Sequence, residues 1–337
     1  MKPIHRLVSV AALACSPLAL VAQACAGELV LPREGWSSWQ VPAVDNAPAW
    51  CCLSWDNRTD KVSPMSCQLD RKQGANVGFG SHEDKTTDAV RVYVRRVGGK
   101  VERLHAFAAA CPVEAATPIH RIENVVADES ARWLIDLVIG ERLDEDMTDN
   151  ALAALAMHRG KPASDALAGM ARDPRKVTRK KAVFWLAQLR GAEGADITTA
   201  VMFNDQDPEV REHAAFVLSQ TKSPHAATNL IRLGNTDKND HVRAQAWFWL
   251  AQTGAAESEA AIGAALRNDA DPDVREEAVF ALAQLPDERS SRALIAVAED
   301  RSLSRELRKQ AVSWLGESRS HVAQAYLENV LGNVATD

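Results

Sequence analysis

Past residue 26 the sequence has no apolar run approaching the ~20 residues that cross a bilayer as a helix, which predicts no integral membrane segment beyond that point. Positive charge is not in surplus either: 39 Lys and Arg stand against 45 Asp and Glu, a net of −6. That balance argues against nucleic acid as a partner, because phosphate binding is built on clustered cations. There is no Gly-x-Ser-x-Gly elbow, no Gly-x-x-x-x-Gly-Lys phosphate loop and no His-Glu-x-x-His pair, so three common chemistries lack sequence support. Asp269, Asp271 and Asp273 imitate the start of a calcium loop, yet the central glycine and closing glutamate are missing. Those aspartates read instead as a turn into a helix.

What is present at the start has the form of a leader. Lys2 and Arg6 precede an apolar run from Leu7 to Val21, and Ala24-Cys25-Ala26 is a small-x-small cleavage pattern ahead of Gly27. Residues 1–26 are therefore expected to be a secretory signal peptide and the mature chain to be periplasmic or secreted. Lipoprotein processing at Cys25 is a lesser alternative, since Gln23 fits poorly beside an acceptor cysteine. Cleavage would leave 37 basic and 45 acidic residues, a net of about −8, and four cysteines: Cys51, Cys52, Cys67 and Cys111. In an oxidising compartment these suffice for two disulfides, in any of three pairings. A zinc site is the weaker reading, because structural zinc favours Cys-x2-Cys pairs and adjacent cysteines rarely ligate one ion.

Residues 27–125 form a first unit, expected to be β-rich and disulfide-stabilised. Its clearest signal is "AVRVYVRRVGGKVERLHAF", two alternating runs about Gly98-Gly99 that read as a hairpin, with Val90, Val92 and Val94 on one side and Arg91, Tyr93 and Arg95 on the other. "GWSSWQVPAVDNAPAWCCLSW" is too irregular to assign, though its aromatics and paired cysteines point to a small stapled core.

From residue 126 to 337 the periodicity becomes helical and a repeat emerges. "TRKKAVFWLAQL", "VREHAAFVLSQT", "VRAQAWFWLAQT", "VREEAVFALAQL" and "LRKQAVSWLGES" align without gaps on Ala182, Ala214, Ala246, Ala278 and Ala311, spaced by 32, 32, 32 and 33 residues. A shorter apolar helix precedes each, and Asp-Pro at 173–174, 207–208 and 271–272 marks the turn into three of them. "SARWLIDLV" with "DNALAALAMHR" reads as a degenerate first unit, and "HVAQAYLENVLG" as a terminal cap. The Asp-Pro-x-Val-Arg start, with Ala four places after Val and Leu four after that, resembles HEAT repeats, in particular the short variety shared by phycobilin lyases and deoxyhypusine hydroxylases. Pro208, Val210, Arg211, Ala214 and Leu218 carry the pattern. The resemblance implies a mainly α fold, a right-handed α-solenoid of HEAT-like helical pairs behind the small β-rich domain. A Cys-containing β unit followed by such repeats also resembles a class of exported bacterial HEAT-repeat proteins, for which no chemical activity is implied.

With the anchor alanine at 0° and about 100° per residue, the preceding valine, the alanine, the third following residue and the leucine make an apolar stripe. Trp185, Val217, Trp249, Ala281 and Trp314 hold that third position, where large and small side chains are expected to interdigitate. The second position, near 200°, lies opposite and holds Phe184, Phe216, Phe248 and Phe280, with Gln188, Gln220, Gln252 and Gln284 beside them. The resemblance implies that this helix lines the concave face and that its second position is ordinarily polar. A phenylalanine row there is either a contact surface for a protein or peptide or a second small core. Arg179, Arg211, Arg243, Arg275 and Arg308 repeat equally faithfully and are expected to pair with turn aspartates such as Asp205, Asp237 or Asp269.

The related hydroxylases imply a metal centre carried by recurring His-Glu dipeptides on the repeat helices, but the one such pair here is His82-Glu83, in the first unit. Nothing identifies a chromophore site, and no cofactor is expected. The leading functional expectation is a non-catalytic, exported interaction module or scaffold that grips a protein or peptide on the concave face, in envelope signalling or assembly. The alternative is an enzyme or enzyme accessory with a centre about His82, Glu83 and His105.

Overall fold

The computed structural model describes residues 29–56, 58–59, 61–70, 77–80, 85–141, 143–286 and 288–334. The expected leader and the His82-Glu83 pair lie outside them. Among the described residues, nine strands precede thirteen helices. The expected hairpin is β6 (Ala89–Val97) and β7 (Lys100–Ala108). Its two turn residues, Gly98 at φ 59° and Gly99 at φ 85°, are both left-handed, the backbone that a two-residue turn between right-twisted strands requires. β1 (Gly35–Pro42) pairs antiparallel with β6, and β9 (Ile119–Ile122) adds in parallel to β1, giving the order β7-β6-β1-β9.

β1 and β2 (Cys51–Asp56) arise from the stretch whose pattern is irregular. Alternation is invisible in β1 because both faces are covered: Trp36, Ser37, Ser38 and Trp39 are all buried. Trp36 belongs to a small core with Cys52, Cys67, Leu69, Tyr93, Phe107 and Cys111. Trp39 and Val41, with Val90, Val92, Val94 and Leu104, enter the main core that continues through the helices. The small core is closed by Cys51–Cys111 and Cys52–Cys67. Two further small sheets frame it: β3 (Lys61–Met65) and β5 (Val77–Gly80) flank β2, and β4 (Cys67–Gln68) pairs with β8 (Val113–Glu114).

The helices begin with α1 (Ala127–Gly140) and α2 (Glu145–Met157). Five pairs follow: α3 (Lys161–Met170) with α4 (Lys176–Leu189), α5 (Gly191–Asn204) with α6 (Pro208–Ser219), α7 (Ala226–Thr236) with α8 (Asp240–Gln252), α9 (Ser258–Asn268) with α10 (Pro272–Ala283), and α11 (Glu288–Glu299) with α12 (Arg305–Glu317). α13 (His321–Val334) ends the array. The even-numbered helices α2 to α12 pack consecutively as one layer, and more extensively than the odd-numbered helices pack on one another. Asp207 and Asp271 cap α6 and α10 ahead of a first-turn proline, while Asn239 and Ser304 do the same work for α8 and α12.

A repeated ion pair joins successive units. Arg179 to Asp205, Arg211 to Asp237 and Arg243 to Asp269 are each two-pronged, with N–O distances between 2.7 and 3.1 Å. Each arginine also donates to a carbonyl of the turn six residues before it: Asp173, Asp205 and Asp237. Each aspartate accepts in turn from the backbone N–H two residues on, at Asp207, Asn239 and Asp271. Burial alone would raise the Asp237 and Asp269 carboxyls, but the hydrogen bonds from Arg211 and Arg243 bring both below their usual value. The ladder stops at the fourth step. Asp300 pairs with Arg267 instead of Arg275, where the spacing lengthens to 33.

The stripe differs from expectation in one position. The first residue after the anchor, Val183, Ala215, Trp247 or Val279, is fully buried, whereas the tryptophans at the third are half-buried. An even helix is covered by its own partner and by two even neighbours, which widens the buried arc toward 100° and leaves the third position at the seam between neighbours.

The sheet is joined to the helices through a buried relay. The Trp39 indole donates to Ser130 Oγ at 2.6 Å, Ser130 Oγ lies 2.6 Å from His158 Nε2, and His158 Nδ1 lies 2.6 Å from the Ala154 carbonyl. A carbonyl can only accept, so Nδ1 carries the proton, and Nε2 is left to accept from Ser130. Burial holds the fully enclosed His158 ring down to about 4, so it is neutral. Arg190 donates to the carbonyls of Leu155 and His158, clamping α4 to the same corner.

Three outcomes follow from this packing. A Cβ at Gly194 would run into the Leu186 carbonyl, whereas the space about Gly169 is open. Gly194→Ala should therefore cost about 3 kcal/mol in denaturant unfolding and Gly169→Ala within about 0.5. Asp237→Asn strands the buried Arg211 and should cost about 3–5 kcal/mol, while the double change Arg211→Met with Asp237→Leu costs less than the single. For His158 the folded value lies below the unfolded 6.5, so its contribution is complete above pH ~6.5 and is lost as pH falls toward 4. Unfolding free energies measured at pH 7.5 and pH 5 should differ by about 2 kcal/mol from this group, and His158→Asn should remove that difference.

Candidate functional site

The even-numbered layer presents an aromatic file, and its members come from two adjacent sequence positions. Phe184, Phe216, Phe248 and Phe280 are all half-buried, as are Trp185, Trp249 and Trp314. Neighbouring positions differ by about 100° on a helix, yet rings are large enough to bridge that angle: Phe184 meets Trp185 edge-on at 4.9 Å between centroids, and Phe248 meets Trp249 at 4.7 Å. Between units, Phe216 packs on Trp249 at 4.7 Å, Phe248 stacks on Phe280 at 5.7 Å and Phe280 packs on Trp314 at 5.2 Å. At the other end Trp50, from the β unit, meets Trp185 at 5.4 Å. The Trp185 indole is itself fixed by a 2.8 Å hydrogen bond to Asp149 on α2.

The file has one gap. Two of the phenylalanines meet the tryptophan at the third position of the following unit, but after Phe184 that position is Val217, which is buried and carries no ring. A cavity of about 460 Å³ opens there between Phe184 and Phe216, with His213, Lys180, Lys181 and Asp149 in its walls. That volume lies in the range of small-ligand and side-chain pockets. Lys181 lies 3.7 Å from Glu145 and 3.5 Å from Asp149, and Lys176 lies 2.8 Å from Glu209. Among the described residues Lys180 has no ion-pair partner. His213 is pushed down to about 4 by burial and by the lysines beside it, and its Nε2 donates to the Lys180 carbonyl at 3.1 Å. The wall therefore sets a neutral imidazole and two aromatic faces among three lysines and three carboxylates, with Lys180 the lysine outside the ion pairs.

Of the glutamines beside the phenylalanines, Gln188, Gln220 and Gln252 are exposed and Gln284 is half-buried. Each stands four residues after its phenylalanine, hence one turn along the same face. Further along the array the residues flanking Phe280, Glu276 and Glu277, are exposed carboxylates, so the charge beside the file changes sign from the Lys180 end to the Glu276 end. His105 lies elsewhere, on the sheet face toward the disulfides, between Trp36 and Phe107. Burial holds it down to about 4, and its Nε2 has no hydrogen-bond partner. His241 approaches Glu212 at 3.8 Å and His158 belongs to the buried relay, so these histidines do not share one site. The donor atoms of Cys51, Cys67 and Cys111 converge within 4.8 Å, and all three are committed to disulfides.

The Trp50 contact, the Val217 gap and the lone Lys180 were not anticipated from the sequence. The gap had a signal in the repeat alignment, where the third position alternates large and small; the Trp50 contact joins residues 135 positions apart and had none.

Residues 163–251 and 259–335 match the HEAT-repeat family. Among solved structures the chain is similar to human deoxyhypusine hydroxylase in complex with glycerol, at 15% identity over 60% of this chain and 90% of that one, with a TM-score of 0.29. It is also similar to an engineered protein at 19% identity, over 55% of this chain and 57% of that one, with a TM-score of 0.31. No curated protein matches the sequence. No helix among the described residues is long and apolar enough to cross a membrane. Residues 163 to 335 are an array of HEAT repeats, a repeat scaffold set behind a disulfide-bonded β unit.

Proposed function

We propose that this chain is an exported, non-catalytic scaffold that binds a protein or peptide segment along the even-numbered helix layer, which we read as the concave side of the array. The cavity between Phe184 and Phe216 carries the reading. It interrupts an otherwise continuous aromatic file, and a large apolar side chain of a partner would bridge the rings of Phe184 and Phe216. An aromatic pocket ringed by polar groups, desolvated when a partner fills it, is the form that binding hot spots take. The unmatched Lys180 supports a carboxylate beside the partner's anchor, and Glu276 with Glu277 supports basic residues farther along. Two disulfides suit an oxidising compartment, which agrees with the leader-like first 26 residues and a periplasmic or secreted location.

The test is a photo-crosslinking residue placed at Gln188, one turn from Phe184, in the full chain expressed in its native envelope. A discrete adduct should form, and Phe184→Ser with Phe216→Ser should reduce it at least tenfold while circular dichroism stays unchanged. An adduct of equal yield in the folded double variant would overturn the reading. Should the double variant unfold, Lys180→Glu serves instead and is expected to weaken the adduct without loss of structure.

A further inference from the structure

The two disulfides of the β unit are packed against each other. Cys67 Sγ and Cys111 Sγ belong to different bonds, Cys52–Cys67 and Cys51–Cys111, yet lie 3.6 Å apart. The sulfurs of Cys51, Cys67 and Cys111 all fall within 4.8 Å of one another. Backbone pairing holds this approach: the Cys67 N–H donates to the Pro112 carbonyl at 2.9 Å, and β4 pairs with β8 through Cys67 and Val113. Both bonds start from adjacent residues of β2, so their far ends are brought side by side. Access differs among the four cysteines. Cys52, Cys67 and Cys111 are buried, whereas Cys51 is half-buried.

In disulfide exchange a thiolate attacks one sulfur of a disulfide and expels the other, and access helps decide which sulfur is attacked. Cys51 is the open member, so an external thiolate attacks there, forms a mixed disulfide at Cys51 Sγ and expels Cys111 as a thiolate. Cys111 Sγ already touches Cys67 Sγ. Its attack forms Cys67–Cys111 and expels Cys52. We infer that this cluster is a thiol–disulfide exchange site for a dithiol reductant, in which electrons enter at Cys51 and leave the chain with Cys67–Cys111 bonded and the adjacent Cys51 and Cys52 as thiols. The balance closes on the reductant. Its second thiolate attacks its own sulfur in the mixed disulfide and releases Cys51, so the dithiol departs as a disulfide, having given two electrons and two protons to the chain. One protein disulfide is lost and the other changes partner. β2, tied twice by the original bonds, then keeps neither tie, while β4 becomes bonded to the β7–β8 connection. This inference stands apart from the reading of the aromatic file.

The probe is dithiothreitol, one molar equivalent, added to the oxidised full mature chain without denaturant, followed by trapping with N-ethylmaleimide and peptide mass spectrometry. Cys51 and Cys52 are adjacent, so one doubly alkylated peptide beside a Cys67–Cys111 cross-link identifies the exchanged species. It is expected to be the main singly reduced form, and to lose that preference in guanidinium chloride, where the contact between the sulfurs is gone. Cys51→Ser with Cys111→Ser removes both the entry point and the internal nucleophile, and should slow reduction of the buried Cys52–Cys67 bond at least tenfold. A main singly reduced form alkylated at Cys51 and Cys111 with Cys52–Cys67 intact, or reduction of Cys52–Cys67 as fast in the double variant as in the wild type, would each overturn the assignment. Should the double variant fail to fold, the peptide map of the wild type decides alone.

Discussion

The two-pronged contact from Arg179, Arg211 and Arg243 to the aspartate of the next turn is the constraint on which the array depends. It links one unit to the next through side chains that are mostly buried: Arg211 and Asp237 are 3% and 6% exposed. A buried ion pair adds little net stability, since desolvation offsets the attraction, but its misalignment is costly because it strands a charge. The ladder therefore acts on register. A slip of one residue would uncouple the guanidinium from both the aspartate and the turn carbonyl. Holding the spacing at 32 residues keeps the phenylalanines on one line, and the ladder ends where the spacing becomes 33.

Once register is fixed, the aromatic file follows from size. Rings at the second and third positions are large enough to meet across the angle that separates them and across the seam between helices. Where the third position carries no ring the two steps differ: Phe248 stacks directly on Phe280 across Ala281, whereas a cavity separates Phe184 from Phe216. The β unit takes part in the same surface. Trp50 touches Trp185, and Trp39 reaches Ser130 and His158, so the sheet is both the cap of the helical core and the first element of the file. One hydrophobic core runs from Leu29 on the β unit to Ala323 in the last helix.

Much of the helical array was legible because its determinants are local and repeated. Apolar period, Asp-Pro turns and the alanine anchors each act within a dozen residues, and their recurrence separates signal from chance. The hairpin was legible for the same reason, since two adjacent glycines supply the left-handed backbone its turn needs. β1 was hidden because a strand covered on both faces has no polar alternation to read. The burial of Val183 and Trp247 was hidden as well, because a single helix wheel does not show that three neighbours surround an even helix.

The sequence alone determined the repeat length, the helix boundaries set by capping residues, the arginine–aspartate pairing rule and the row of phenylalanines. These rest on interactions between residues near in the chain or related by one repeat. Tertiary structure decided which cysteines pair, that rows from two sequence positions merge into one aromatic file, and that a cavity opens in it between Phe184 and Phe216. Those outcomes depend on the packing of segments far apart in sequence, where small differences in side-chain volume, rather than residue class, set what touches what.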